Sequence, residues 1–146
     1  MKTATLVLRL FLFVLIAVPA SWSIAGAQVV IAGQQYPLRL ETPHPLRGPF
    51  VSGEPIWIDF IHHEDALWIA VHFEKLDLAP GAKVVISSED DPQLFTHTGT
   101  GPLNGPSFMG AFIYSDHVKI EVFSDVPDAG FGYIIDSYGA GYKNPD

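Results

Sequence analysis

In LWIAVHFEKLDLAPGAKVVISS, residues 67–88, apolar side chains fall on every second position, stop at a turn and then resume. Leu67, Ile69, Val71 and Phe73 alternate with Trp68, Ala70, His72 and Glu74. A period of two puts one set in a core and the other outside it, which a helix cannot do. The turn is Leu78-Ala79-Pro80-Gly81. Pro80 fixes its own φ and Gly81 tolerates positive φ, so the chain reverses there, and Val84, Val85 and Ile86 open a second strand.

The same alternation recurs along the chain. Gln35–Glu41 is a strand candidate containing Pro37, which suits a sheet edge because proline cannot donate to a ladder. Ile56–Ile61 has Ile56, Ile58 and Phe60 on one face and Trp57, Asp59 and Ile61 on the other. Gln93–Thr98 is a short candidate. In Phe108–Tyr114, strict alternation groups Phe108, Gly110, Phe112 and Tyr114. Val118, Ile120 and Val122 alternate with Lys119, Glu121 and Phe123, and Gly132–Tyr138 is rich in β-branched and aromatic residues. Val29–Ala32 adds a short apolar run. About nine short strands separated by Gly and Pro turns, with no sustained helical period, predict an all-β, antiparallel jelly-roll β-sandwich forming a single domain.

The first 27 residues read differently. Lys2 and Arg9 precede an apolar run from Leu10 to Val18, and Ala25-Gly26-Ala27 supplies an A-x-A cleavage pattern. Nine apolar residues fall far short of the roughly 20 that cross a bilayer, so residues 1–27 are expected to be a secretory signal peptide. Cleavage after Ala20 is the alternative to cleavage after Ala27. The expected domain is 28–142, followed by a short tail, 143–146. A secreted, extracellular protein without stable membrane insertion follows.

Removing Lys2 and Arg9 from eight basic residues leaves six against 16 acidic ones, a formal charge of −10. Such a chain is a poor partner for nucleic acid or anionic lipid, both of which reward clustered Lys and Arg. Cysteine is absent, so packing must do what disulfides do in many small extracellular domains. Ten Phe, five Tyr and three Trp supply the area, since each buried aromatic removes about 150 to 250 Å² from water.

The order TPHP, IWIDFI, LWIAVHFEKLDL, KVVIS, a Gly-rich loop, VKIEVFSD and GFGYIIDSY resembles the CUB domain over residues 40–142. It is most similar to the cysteine-free, CUB-like domains of secreted microbial proteins, which often stand beside trypsin-like proteases. The resemblance implies an extracellular jelly-roll sandwich that recognises other molecules. It also implies calcium, held by an acid after the F-x-x-x-D-L segment, an acid opening the next strand and an Asp in the Ser-Asp loop. Here Ala79 and Lys83 stand at the first two places and only Asp125 matches the third. Calcium is therefore not carried over as it stands, and no cofactor is expected on these grounds.

Asp125 and Asp128, in SDVPDAG, are the candidate metal ligands, with solvated turns as the alternative. Trp57, Trp68 and His72 are the candidate ligand-binding residues. Aromatic rings on a sheet face stack on sugars or anchor a protein. His62 and His63 are adjacent on an extended chain, point to opposite sides and cannot readily chelate one ion. The chain has no G-x-S-x-G elbow, H-E-x-x-H or phosphate loop, and Ser107, in GPSFMG, does not resemble a nucleophile turn. The expected function is a non-catalytic recognition or accessory module for an extracellular protein or carbohydrate, with regulation of a secreted protease and a small hydrolase as alternatives.

Overall fold

A computed structural model describes residues 32–48, 51–102, 105 and 107–142. The expected signal peptide, the run Val29–Ile31 and the tail at 143–146 lie outside the described residues. Eight strands follow in order: β1 (Ala32–Glu41), β2 (Trp57–His62), β3 (Trp68–Leu78), β4 (Ala82–Ser87), β5 (Leu94–His97), β6 (Phe108–Ile113), β7 (His117–Ser124) and β8 (Gly130–Tyr142). They form two antiparallel four-stranded sheets, ordered β1-β8-β3-β6 and β2-β7-β4-β5. Successive strands mostly cross from one sheet to the other, the arrangement of a jelly roll built from two Greek keys. The expected all-β jelly-roll sandwich is the fold observed.

The two sheets meet through the alternating sets seen in the sequence. Ile69, Val71 and Phe73 of β3 face Val118, Ile120 and Val122 of β7, with Val84, Ile86, Ile113, Tyr133 and Ile135 completing one continuous buried cluster. Pro37 lies in β1, an edge strand, as the missing N–H requires. Gly81 has a φ of 91° in the turn before β4, a value that a side chain would strain.

The structure decides which face of β2 is inward and changes one grouping on β6. On β2, Trp57, Asp59 and Ile61 pair with the buried Val122, Ile120 and Val118 and so point inward. Ile58 and Phe60 point outward and are 43% and 68% exposed. Apolar character alone would have turned this strand over. On β6 the register against β3 shifts between the pairs Ala70↔Phe112 and His72↔Met109, placing an extra residue in β6. Phe108 therefore stacks inward on Phe73 at 4.9 Å, whereas Phe112 points outward. Strict alternation had put the two phenylalanines on one face.

Candidate functional site: the outward face of the β1-β8-β3-β6 sheet

The outward residues of this sheet form rows across its strands. Gly33, Gly141 and Trp68 make one row; Gln35, Gly139, Ala70 and Phe112 the next; Pro37, Ser137, His72 and Met109 the third. The first two rows have almost no side chain over β1 and β8. Trp68 lies across that bare backbone. A Cβ added at Gly33 would come within 2.7 Å of the indole, and one at Gly139 within 3.3 Å. Three glycines on two neighbouring strands thus make room for a single ring. Phe112 meets Trp68 edge to face, with centroids 4.6 Å apart and planes at 87°. With Tyr114, Gln34 and Gln35 they border an open groove of about 460 Å³.

One row farther along, polar groups link all four strands. Gln35 Nε2 donates to Ser137 Oγ at 2.8 Å, and Ser137 Oγ donates to Asp136 Oδ1 at 3.0 Å. His72 Nδ1 lies 2.5 Å from the same Asp136 oxygen, and Ser107 Oγ lies 3.3 Å from His72 Nε2. Asp136 reaches this row because the β3–β8 register shifts between the pairs His72↔Ser137 and Phe73↔Ile135, which bulges β8 there. The hydrogen bond from His72 holds the Asp136 carboxyl below the usual carboxylate range, so it is ionised and only accepts. Nδ1 of His72 consequently donates to Asp136, and Nε2 is the ring nitrogen that faces the Ser107 hydroxyl. This is the connectivity of a Ser–His–Asp relay, built on β3, β8 and the residue that precedes β6.

Of the candidate binding residues, Trp68 and His72 share this face and Trp57 does not. Trp57 packs against the core on the inner face of the other sheet, and its Nε1 donates to Asp59 Oδ2 at 2.8 Å. The same oxygen accepts from Tyr133 Oη at 2.6 Å. Burial and the neighbouring carboxylate push the Tyr133 phenol far above its ordinary pKa, so it remains a donor. Trp57 belongs to a structural network on the inner side, apart from the face that carries Trp68 and His72.

Among the described residues, Asp125 and Asp128 are not gathered with a third metal-ligand side chain. Asp128 Oδ1 accepts from the Gly130 N–H at 3.0 Å and Oδ2 faces Arg47 at 3.5 Å. Asp125 is exposed on the rim of a cavity of about 580 Å³ that also takes in Lys83. Calcium wants six to eight oxygens, and a lysine on the rim with one carboxylate already paired does not fit it. Among the described residues, the group of three metal-ligand side chains that does gather is Asp90, Asp116 and His117.

Ser107, Asp136, Phe112, Tyr114 and Gln35 were not singled out from sequence as site residues. Ser107 lacks a recognisable nucleophile motif, and Asp136 and Phe112 depend on bulges that no residue type announces. No known family model matches the chain, and no curated protein matches it.

Proposed function

We propose that the protein is a secreted recognition module of CUB-like type whose outward β1-β8-β3-β6 face binds carbohydrate. The observation that carries this is Trp68 laid over three glycines, with Phe112 edge-on to it and the Gln35 amide at the margin. An indole face accepts the C–H face of a pyranose, and amides exchange hydrogen bonds with its hydroxyls. A groove of about 460 Å³ has the size of a small-ligand site and suits one or two sugar rings. The net acidity of the chain agrees with a neutral glycan and disfavours nucleic acid.

A glycan array followed by titration of the best ligand tests it. The wild-type chain should bind, Trp68→Ala should lose at least tenfold in affinity, and Ile58→Ala, on the opposite sheet, should bind normally. Binding that survives Trp68→Ala, or capture of proteins but no glycan, would set the proposal aside.

A second reading rests on the distances between Ser107, His72 and Asp136. In it the face cleaves an ester. Ser107 Oγ attacks the carbonyl carbon while His72 Nε2 takes the hydroxyl proton, and the Asp136 carboxylate stabilises the imidazolium. The ester C–O bond breaks, and the leaving alkoxide takes the proton from His72. Water then attacks the acylated serine, releasing the carboxylic acid and restoring the hydroxyl. A fluorophosphonate probe read by intact mass should add once to the wild type and not to Ser107→Ala, and His72→Ala should react at least a hundredfold more slowly. Equal labelling of the three proteins would eliminate this reading.

A further inference from the structure

On the other sheet, His62 and His117 are register partners at the ends of β2 and β7. They follow the outward pairs Ile58↔Glu121 and Phe60↔Lys119, and residues directly opposite on one face of an antiparallel pair bring their side chains together. His62 therefore finds a second histidine across the ladder and not at its sequence neighbour. His63 turns the other way and is engaged by the hydroxyls of Tyr138 and Tyr142, at 2.9 and 2.6 Å.

Two carboxylates close on the pair. Asp116 Oδ1 lies 2.8 Å from His117 Nδ1, and Asp116 Oδ2 lies 3.8 Å from His62 Nε2. Asp90 Oδ2 lies 3.6 Å from His117 Nδ1. A tetrahedral ion with bonds of about 2.1 Å holds neighbouring ligand atoms about 3.4 Å apart; Asp90, Asp116 and His117 each offer a ligand atom within 4.8 Å of the others, and the exposed His62, 3.8 Å from Asp116, has to turn toward them to close the shell.

The segments that carry the four side chains are tied to one another. Asp91, 5% exposed, accepts from the N–H of Gln93 at 2.9 Å and of Tyr114 at 2.8 Å, which docks the β4–β5 loop on the β6–β7 turn. Ser88 Oγ donates to Ser115 Oγ at 2.9 Å across the same junction. The N–H of His63 donates to the Asp116 carbonyl at 2.7 Å, fixing that turn against the end of β2. Asp90 and Asp116 are thus held beside the histidine pair by bonds that do not involve their own carboxylates. Lys119, on β7, is paired with Glu121 at 3.2 Å.

We propose that His62, His117, Asp116 and Asp90 form a binding site for a zinc-class divalent cation. Two imidazole nitrogens with two carboxylate oxygens suit zinc, nickel or cobalt and disfavour calcium, which takes an all-oxygen shell of higher number. The two carboxylates balance the charge of the ion. The ion takes the position of the proton now shared by His117 and Asp116. It would tie two strands to two loops in a chain that has no cysteine with which to make a disulfide.

Isothermal titration of the untagged protein with zinc alone, and separately with calcium alone, tests the site, with the visible spectrum of the cobalt-loaded protein as a second readout. One zinc per chain should bind and raise the melting temperature, because an ion held only by the folded state stabilises it. Cobalt should give the intense absorption of a tetrahedral centre. His62→Ala and His117→Ala should each weaken zinc at least tenfold, while His44→Ala should leave it unchanged. Absence of zinc binding, zinc binding that survives His62→Ala and His117→Ala together, or equal binding of calcium would overturn the proposal. His62 and His44 are exposed and His117 is half-buried, so the melting temperature of each metal-free variant separates loss of the fold from loss of the site.

Discussion

Trp57 and Trp68 open neighbouring strands in sequence, each followed by alternating apolar residues, and they end in opposite situations. Trp57 points into the sandwich and shares the Asp59 carboxylate with Tyr133. Trp68 points out of it and lies on glycines contributed by β1 and β8. Neither position is set by the tryptophan. Trp57 is turned inward by a polar partner two residues along its own strand, which finds a buried phenol on β8. Trp68 is turned outward because Ile69, Val71 and Phe73 occupy the core, and it is held flat because the neighbouring strands carry no side chains beneath it. The first ring completes a hydrogen-bond network and the second makes a surface.

The inward side of the comparison breaks most severely at Tyr133. It is fully buried, stands edge-on to Phe73 at 5.9 Å and supplies the donor to Asp59. Tyr133→Ala should cost about 3 to 5 kcal/mol through the cavity it leaves, measured by urea unfolding. A loss under 1 kcal/mol would mean that this side of the sandwich collapses around the gap.

Asp59→Ala comes next. It leaves the Tyr133 hydroxyl and the Trp57 indole N–H without their acceptor, and should cost about 1 to 3 kcal/mol. Trp57 emission should shift to longer wavelength as the ring loosens. Asp59→Asn keeps an acceptor oxygen and should recover part of the loss. If Asp59→Ala were as stable as the wild type, water would be serving both donors and the network would not be what orients Trp57.

How far the sequence carried this comparison depends on the strand. On β3 and β7 the apolar positions are strictly periodic, and both the strand and its inner face were legible. On β2 both faces are apolar, so Ile58 and Phe60 competed with Trp57 and Ile61 for the interior, and Asp59 argued for the wrong side. What turned it inward is Tyr133, some 74 positions away. For the site, Trp68 and His72 were legible as outward residues of β3. Asp136, Ser107 and Phe112 were not, because a β-bulge inserts a residue without a composition signal and shifts each later side chain to the other face. The histidine pair illustrates the same limit. His62 was rightly read as unable to chelate with His63, and its partner across the ladder is visible only in the register.

The outward side should break more gently. Trp68→Ala removes an edge-to-face partner of Phe112 and should cost about 0.5 to 1.5 kcal/mol, while abolishing whatever the groove binds. Gly139→Ala offers the converse, a Cβ 3.3 Å from the indole that lifts the ring without removing it. Iodide quenching should then reach Trp68 more readily than in the wild type, with Trp57 unaffected. Equal quenching of the two tryptophans in the wild-type chain would contradict their assignment to opposite sides.

The smallest effect concerns an inward polar group that, unlike Asp59, finds no partner among the described residues. His97 pairs with the buried Val84 on the inner face, packs edge-on to Phe73 and Phe108, and its buried Nε2 makes no hydrogen bond to any described residue. Burial lowers its pKa below the ordinary 6.5, so the folded chain binds this proton less readily than the unfolded one. Stability from this group is complete above about pH 6.5 and is lost as pH falls through that value toward the folded pKa. His117 acts in the opposite sense, because Asp116 raises its pKa: its contribution is present below about pH 6.5 and fades as pH rises through the folded value. The whole-protein profile therefore mixes two signs, and the informative quantity is the difference between His97→Phe and the wild type. Melting temperatures taken from pH 7.5 down to 5 should show His97→Phe gaining on the wild type as the pH drops. Parallel curves would mean that His97 takes up its proton as easily folded as unfolded, and that an unpaired nitrogen at this place in the sandwich carries no penalty.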